Sequence, residues 1–151
     1  MLELAQKADW ESVNNLAKQV HEMHIAWRPD IYEDAESLYP MERFASAIKN
    51  RELYVAKLDG QVVGFALLPM RTVNQIGLVS RKVMLINEFC VEKSCRNQGI
   101  GKAMMADVYA LAKAFRCTDI QLSVYPQNDE AVGFYQKCGL TIQNITMSTR
   151  V

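Results

Sequence analysis

The sequence lacks several features that would place it in a particular class of protein. It carries no excess charge of either sign, since Lys plus Arg and Asp plus Glu both number 17 in 151 residues. Nothing global therefore favours binding to nucleic acid or to an anionic membrane. No apolar run approaches the roughly 20 residues of a membrane span, and no basic segment with an apolar core follows Met1. We expect a cytoplasmic protein.

Cysteine and histidine are too few and too scattered to indicate a disulfide framework or a metal site. The four cysteines are Cys90, Cys95, Cys117 and Cys138. They form no C-x-x-C pair, so we expect free thiols. His21 and His24 are three residues apart on a predicted helix, but no cysteine or further histidine lies nearby in sequence to complete a zinc site. The sequence therefore predicts no metal.

Half of the residues are apolar, enough for one sizeable core but not for two. We therefore expect residues 1–151 to form a single domain. The hydrophobic pattern predicts strands over 2–4, 52–58, 62–68, 83–91, 120–124 and 140–150. It predicts helices from a cap at Asp9 to a stop at Pro29, over 41–49, over 98–115, and from a cap at Asn128 to Gly139. Residues 27–40 and 73–81 are predicted to be connections.

Two local signals indicate how these elements connect. Asp59-Gly60-Gln61 lies between two β-rich runs, which predicts a hairpin because the turn requires positive φ. The apolar run 83–91, the helix 98–115 and the strand 120–124 follow one another with short connections, which predicts a parallel crossover. The order as a whole indicates one mixed sheet with helices on its faces.

The segment Arg96-Asn-Gln-Gly-Ile-Gly-Lys102 lies between the buried strand and the long helix. Its glycines allow a sharp turn, and a helix start presents unpaired N–H groups, so the segment predicts an anion site. A Walker loop is excluded, because Arg96 and Ala103 stand where glycine and Ser or Thr would be required. A dinucleotide fingerprint is also a poor match, since Met104 stands where glycine or alanine would be expected.

The pattern that fits is Arg-x-x-Gly-x-Gly, which resembles the pyrophosphate-binding motif of the GNAT superfamily of N-acetyltransferases. Downstream, Asn128-Asp-Glu-Ala-Val-Gly-Phe-Tyr-Gln-Lys-Cys-Gly-Leu140 is similar to that family's second cofactor-facing motif. With the hairpin, the resemblance covers roughly residues 52–142 and is weakest over the first fifty. It implies an α/β fold, with a mixed, mostly antiparallel sheet of six to seven strands, a splayed parallel central pair and helices on both faces.

The resemblance also implies acetyl-CoA as co-substrate and a set of residues that contact it. The residues expected to bind it are Phe89, Cys90, Val91, Arg96, Asn97, Gln98, Gly99, Ile100, Gly101, Lys102, Asn128 and Tyr135. The amides of the turn would hold the pyrophosphate, and Asn128 would contact the pantetheine arm. The strand would splay open near Phe89, whose N–H would point at the thioester oxygen.

Tyr135 is the general acid that the resemblance implies, because a phenol stays protonated at neutral pH and can protonate a leaving thiolate. The alternative is a core aromatic on an amphipathic helix. Glu88, next to Phe89, is the first candidate for the base. Glu88 could equally be structural, paired with a cation or capping a nearby loop. A water chain would then act as the base, or the amine would arrive already neutral. No cysteine lies in a Cys-His arrangement, so a covalent acetyl-cysteine is not expected.

The acceptor is the least defined part of the prediction. His24, Arg28, Asp30 and Tyr32 would border the acceptor groove by family analogy, although such residues more often tie a loop down. The expected acceptor is a primary amine of a small molecule or a protein. A homodimer is compatible with the sequence. Two other functions stay open, namely a non-catalytic acyl-CoA sensor or interaction module, and a nucleotide-phosphate binder.

Overall fold

The computed structural model describes residues 1–151 as seven strands and four helices. The strands are β1 Leu2–Leu4, β2 Leu53–Leu58, β3 Gln61–Leu67, β4 Met70–Val73, β5 Arg81–Ile86, β6 Glu88–Val91 and β7 Asp119–Leu122. The helices are α1 Trp10–Trp27, α2 Met41–Lys49, α3 Ile100–Ala114 and α4 Asp129–Lys137. None of the helices is both long and apolar enough to cross a membrane.

The strands form two groups that meet at one break. The first group has the order β1-β2-β3-β6, and all of its neighbouring strands are antiparallel. The second has the order β4-β5-β7, in which β5 pairs with β7 in parallel. Backbone bonds from Leu85 N to Pro69 O and from Asn87 N to Leu67 O, at 2.8 and 3.0 Å, join the two groups. The mixed, mostly antiparallel arrangement that we predicted is therefore confirmed.

The run predicted as one strand over 83–91 is interrupted at Asn87. Before the break, β5 pairs with β7 as far as Ile86 opposite Leu122. After it, β6 pairs only with β3, and β7 ends at Leu122. The central parallel pair is thus splayed, as predicted, and the opening begins where the strand breaks.

Both faces of the sheet are covered by helices, because successive residues of a strand point to opposite faces. Leu53 and Val55 pack with α1 and α2 in one buried cluster. Tyr54 belongs to a second cluster, on the other face, which includes residues of α3 and is packed against by residues of α4. The alternation in β2 therefore accounts for helices on both sides.

The predicted turn and the predicted caps of α4 are present. Asp9 precedes α1 as predicted, but its side chain makes no capping bond to that helix and instead accepts a 2.8 Å hydrogen bond from the Gln6 amide. Asp59 and Gly60 have φ values of 48° and 79°, which is the positive φ that the hairpin between β2 and β3 requires. The Asn128 side chain accepts a 3.2 Å hydrogen bond from the Ala131 amide at the start of α4. Gly139 follows the end of α4 with φ 94°. These residues fix where the hairpin turns and where α4 begins and ends.

One strand prediction was wrong, and one strand was not predicted. No strand forms over 140–150. Residues 141–150 make no backbone–backbone hydrogen bond, and the Leu140 amide donates only to Tyr135 O, at 3.0 Å. Ile145 and Met147 are 81 and 90% exposed. Alternation by itself does not create a strand, because a strand also needs backbone hydrogen bonds to a neighbouring strand. In the other direction, β4 lies where no strand was predicted, because its Arg71 and Thr72 are polar and exposed.

Candidate active site

The glycine turn leaves a set of backbone amides open at the start of α3. The first backbone hydrogen bond of α3 is donated by the Ala103 amide to Gly99 O, at 3.0 Å. None of the amides from 97 to 102 makes a backbone hydrogen bond. Asn97 and Gly99 both have positive φ, 61° and 83°. The turn therefore presents consecutive donors and the positive end of a 15-residue helix, a site suited to an anion.

The glycines of the turn have separate roles. Gly99 adopts the left-handed conformation, and a Cβ there would meet no atom within 4 Å, so its backbone stays open to a ligand. A Cβ on Gly101 would lie 3.3 Å from the Phe134 ring. Gly101 thus lets α3 approach α4, which places the turn and the second motif side by side.

Arg96 adjoins the turn and is partly committed to the protein. Its Nε donates a 3.1 Å hydrogen bond to Val91 O. Neither terminal guanidinium nitrogen has a hydrogen-bond partner. The side chain is therefore anchored at one atom while its two remaining nitrogens stay available for an anion.

The outer edge of β6 has free backbone groups. Glu92 N donates to Val63 O at 2.8 Å, and bonds in an antiparallel ladder alternate from residue to residue. With Cys90 opposite Phe65, the amides of Glu88 and Cys90 then face β3. The amides of Phe89 and Val91 accordingly face the splay. A bound chain with its own amides and carbonyls would find partners there, as a further strand would.

Tyr135 lies on α4 and packs edge-on against Phe89, with ring centroids 6.2 Å apart. Its hydroxyl makes no hydrogen bond to the protein and is accessible to solvent. Burial raises the pKa of Tyr135, so the phenol stays protonated well beyond neutral pH. The residue is therefore both a half-buried aromatic and an accessible proton donor.

Glu88 lies on the opposite face of β6 from Phe89. Its Oε1 accepts a 2.8 Å hydrogen bond from the Tyr39 hydroxyl and a 3.0 Å bond from the Arg43 guanidinium. The side chain is 25% exposed. The cation pairing that we considered as the structural alternative is thus present, and the carboxylate is still accessible.

His24 and Tyr32 meet in an aromatic cluster at the end of α1. Their rings stack with centroids 5.0 Å apart. Tyr32 shares a 3.0 Å hydrogen bond between hydroxyls with Tyr125, which follows β7. Trp27 lies 5.9 Å from His24 between ring centroids. The cluster joins the loop after α1 to the segment after β7 and so forms one wall of the opening.

Arg28 and Asp30 form an ion pair with two hydrogen bonds of 2.8 and 2.7 Å. This pairing lowers the pKa of Asp30 to about 2, mainly through the hydrogen bonds from Arg28. Asp30 also receives a 3.0 Å hydrogen bond on its backbone oxygen from Arg150. The loop-tying role that we weighed against substrate contact therefore describes Asp30.

A groove of about 2330 Å³ brings most of these groups together. It is lined by Phe89, Cys90, Val91, Arg96, Asn97, Gly99, Gly101, Lys102, Asn128 and Tyr135, and also by His24, Arg28, Tyr32 and Glu88. Three predicted site residues do not line it, namely Gln98, Ile100 and Asp30. Ile100 is 4% exposed and points into the core, so only its backbone could serve a ligand. No group of three metal-binding side chains is present.

The structure adds residues that sequence reasoning missed. Tyr125 borders the groove, and Tyr39 and Arg43 contact Glu88. Tyr39 and Glu88 are 49 residues apart, and neither belongs to a local motif that relates them. For Tyr125 a signal existed, since an aromatic residue directly after a parallel strand lies at the edge where ligands bind.

The fold, with its splayed parallel pair and open glycine turn, is that of the GNAT acetyltransferases. Residues 17–140 match the family model described as the acetyltransferase (GNAT) family. The match covers most of the chain, and this protein belongs to that family.

Two relatives are similar to this chain over different lengths. A probable spermine N(1)-acetyltransferase of Bacillus subtilis subsp. natto is 30% identical over 82 residues, which is 54% of this chain and 53% of that protein. The match thus spans about half the length of that relative. A crystal structure of a mutant BH1408 protein from Bacillus halodurans has a TM-score of 0.94 at 27% identity, covering 100% of this chain and 99% of that one.

The fold is also shared with more distant enzymes. An aminoglycoside N-acetyltransferase in complex with CoA has a TM-score of 0.72 at 18% identity, covering 100% of this chain and 98% of that chain. At this identity the likeness concerns the fold alone.

Proposed function

We propose that this protein transfers the acetyl group of acetyl-CoA to a primary amine by direct attack in a ternary complex. The observation that carries the proposal is the free edge of β6, which borders the same groove as the open amides of the glycine turn and the Tyr135 hydroxyl. Each function that the reaction needs has a candidate group along this edge.

The residues present fit coenzyme A as a bound substrate. The unpaired amides from 97 to 102 and the free nitrogens of Arg96 would hold the pyrophosphate. The Nδ2 of Asn128 is not used in capping α4 and is available to the pantetheine arm. Acetyl-CoA supplies an activated thioester, and the Phe89 amide, which faces the splay, would donate to its oxygen. A preset backbone donor of this kind is worth about 3 kcal/mol in the transition state.

The remaining steps concern two protons. The amine nitrogen forms a bond to the acetyl carbon while the carbon–sulfur bond breaks. The amine gives up one proton to Glu88, directly or through water, and Tyr135 donates one to the departing thiolate. Because burial raises the pKa of Tyr135, it reaches this step protonated.

The acceptor that we propose is a small amine. The curated relative is named for spermine, a compound with primary amines. The aromatic cluster and the Glu88 carboxylate border the groove on the acceptor side. An aromatic wall and a carboxylate suit a cationic amine.

Thiol release from acetyl-CoA tests the proposal. We expect amine-dependent release with at least one member of a panel of polyamines, aminoglycosides, amino acids and peptides. Tyr135→Phe should lower kcat by about 10²-fold or more, the range for a general acid, and leave coenzyme A affinity intact. Tyr54→Phe is the matched control, because its buried hydroxyl has no hydrogen-bond partner.

The possible results separate the alternatives. Tight coenzyme A binding without turnover on any amine would contradict the enzyme and favour the sensor. Competition by ATP in place of coenzyme A would favour the nucleotide-phosphate binder. Unchanged turnover in Tyr135→Phe would remove Tyr135 from the mechanism while leaving the transferase.

A further inference from the structure

Glu88 is held by two side chains that both bind the same carboxylate oxygen. The Tyr39 hydroxyl donates to Oε1 at 2.8 Å, and Arg43 donates to Oε1 at 3.0 Å. Two donors on one oxygen fix the rotation of the carboxylate, because turning it would break both bonds. The second oxygen, Oε2, is therefore left in a set direction.

The second oxygen is free and accessible. No protein group donates a hydrogen bond to Oε2, and this oxygen is accessible to solvent. Glu88 lines the groove. A carboxylate oxygen with unused lone pairs at this place can accept hydrogen bonds from a ligand.

Tyr39 lies in a loop but is itself buried and held by several hydrogen bonds. It is 0% exposed. Its backbone oxygen accepts a 2.7 Å bond from the Trp10 indole and a 3.1 Å bond from Asn14, whose Oδ1 accepts from the Tyr39 amide at 3.0 Å. Arg43 covers the Tyr39 ring, with its guanidinium carbon 4.1 Å from the ring centroid. The support of Glu88 is thus anchored to α1 and shielded by α2.

We infer that Tyr39 and Arg43 are positioning residues that hold Glu88 with Oε2 turned into the groove, where it receives the ammonium group of the acceptor. The inference rests on the proposed function. A primary ammonium donates a hydrogen bond to Oε2, and the same atom takes that proton before nitrogen attacks the thioester and later releases it to water. The nitrogen loses a second proton as the amide forms, and this proton replaces the one that Tyr135 gives to the departing thiolate. The arrangement selects cationic primary amines, since an uncharged acceptor such as an alcohol gains less from a fixed carboxylate.

A double-mutant cycle tests whether Tyr39 acts through Glu88. We expect Glu88→Gln to lower kcat/KM for the amine by about 100-fold, as for a lost general base. Tyr39→Phe, which removes one oxygen from a buried ring, should lower it by about tenfold. Tyr39→Phe combined with Glu88→Gln should be no slower than Glu88→Gln alone, because the positioned group is then already absent.

Substitution of Arg43 provides an independent second test. Its side chain is 48% exposed, so Arg43→Gln preserves the core even if Tyr39→Phe were to unfold the protein. We expect Arg43→Gln to lower kcat/KM for the amine and Arg43→Lys to recover part of the loss. Arg71→Gln is the matched control, since the exposed Arg71 bonds only to Gln121, at 3.3 Å. Tyr54→Phe serves as the control for Tyr39→Phe.

The results distinguish the inference from the proposed function. All variants should bind coenzyme A like the wild type, measured by calorimetry. If the losses from Tyr39→Phe and Glu88→Gln multiply in the double variant, Tyr39 acts independently and the inference is overturned while the transferase stands. If the wild type acetylates no amine, the proposed function fails and the inference fails with it.

Discussion

His24 is a half-buried imidazole whose ring makes no hydrogen bond to the protein. Burial lowers the pKa of His24 below 6.5, and the nearby His21 lowers it further. A base with a lowered pKa in the folded state binds more protons when unfolded. Its contribution to stability is therefore fully present above pH 6.5 and is lost as the pH falls through its folded pKa.

We accordingly predict that His24→Gln flattens the pH dependence of unfolding. The free energy of unfolding of the wild type should fall as the pH is lowered from 7 to 5, and that of His24→Gln should fall less. Urea unfolding at several pH values measures both. Parallel pH profiles for the two proteins would contradict the prediction, because they would show that the pKa of His24 is the same in the folded and unfolded states.

At the scale of elements, the segment after α4 is the part of the chain that differs most from its predicted structure. Residues 141–150 are all exposed, and Arg150 provides their side-chain contacts with the loop after α1. We predict that the amides of 142–151 exchange with solvent far faster than those of β3, which is paired on both edges. Hydrogen exchange by NMR or mass spectrometry measures the difference.

Protected amides in this segment would contradict the prediction and indicate that it pairs with a strand. Protection that rises with protein concentration would support the homodimer that the sequence allowed. Protection at all concentrations would place the segment on β7 of the same chain, whose outer edge has no partner.

The elements that could be predicted from sequence are those with a local cause. The hairpin at Asp59-Gly60, the helix capped by Asn128 and the start of α3 after Gly99 each depend on residues a few positions apart. The break at Asn87 could not be read from the apolar run, because it depends on which strand each half pairs with. The single-domain expectation for residues 1–151 stays a prediction.

The candidate site divides in the same way. The glycine turn and α4 were found by motif, whereas the contacts of Glu88 with Tyr39 and Arg43 were not, since they join distant segments. Asp30 was predicted by family analogy to border the groove. Its side chain instead forms a salt bridge with Arg28, its near neighbour in sequence, and does not line the groove. Local chemistry could be predicted, and long-range pairing required the fold.

For the molecule as a whole, we predict that coenzyme A stabilises the folded state. At a concentration of 100 times its Kd, a ligand adds about 2.7 kcal/mol, which for a protein of this size raises Tm by about 5–10 °C. A thermal melt with and without coenzyme A measures the shift. An equal shift with ATP would indicate that only the phosphates are recognised.

A pair of glycine variants shows whether the stabilisation comes from the turn. Gly99 and Gly60 have nearly equal φ, 83° and 79°, and neither would place a Cβ within 4 Å of another atom. Gly99→Ala and Gly60→Ala should thus cost similar stability, about 1 kcal/mol each. Only Gly99→Ala should reduce the coenzyme A shift, because Gly60 lies in the hairpin away from the groove.

The hydroxyl pair of Tyr32 and Tyr125, which belongs to the aromatic cluster in the wall of the groove, joins residues 93 positions apart. During synthesis, the first of these residues leaves the ribosome long before the second, at a rate of about 5–20 residues per second. The nascent chain therefore has no complete wall until Tyr125 has left the ribosome, which makes this pair one of the last parts of the groove to form.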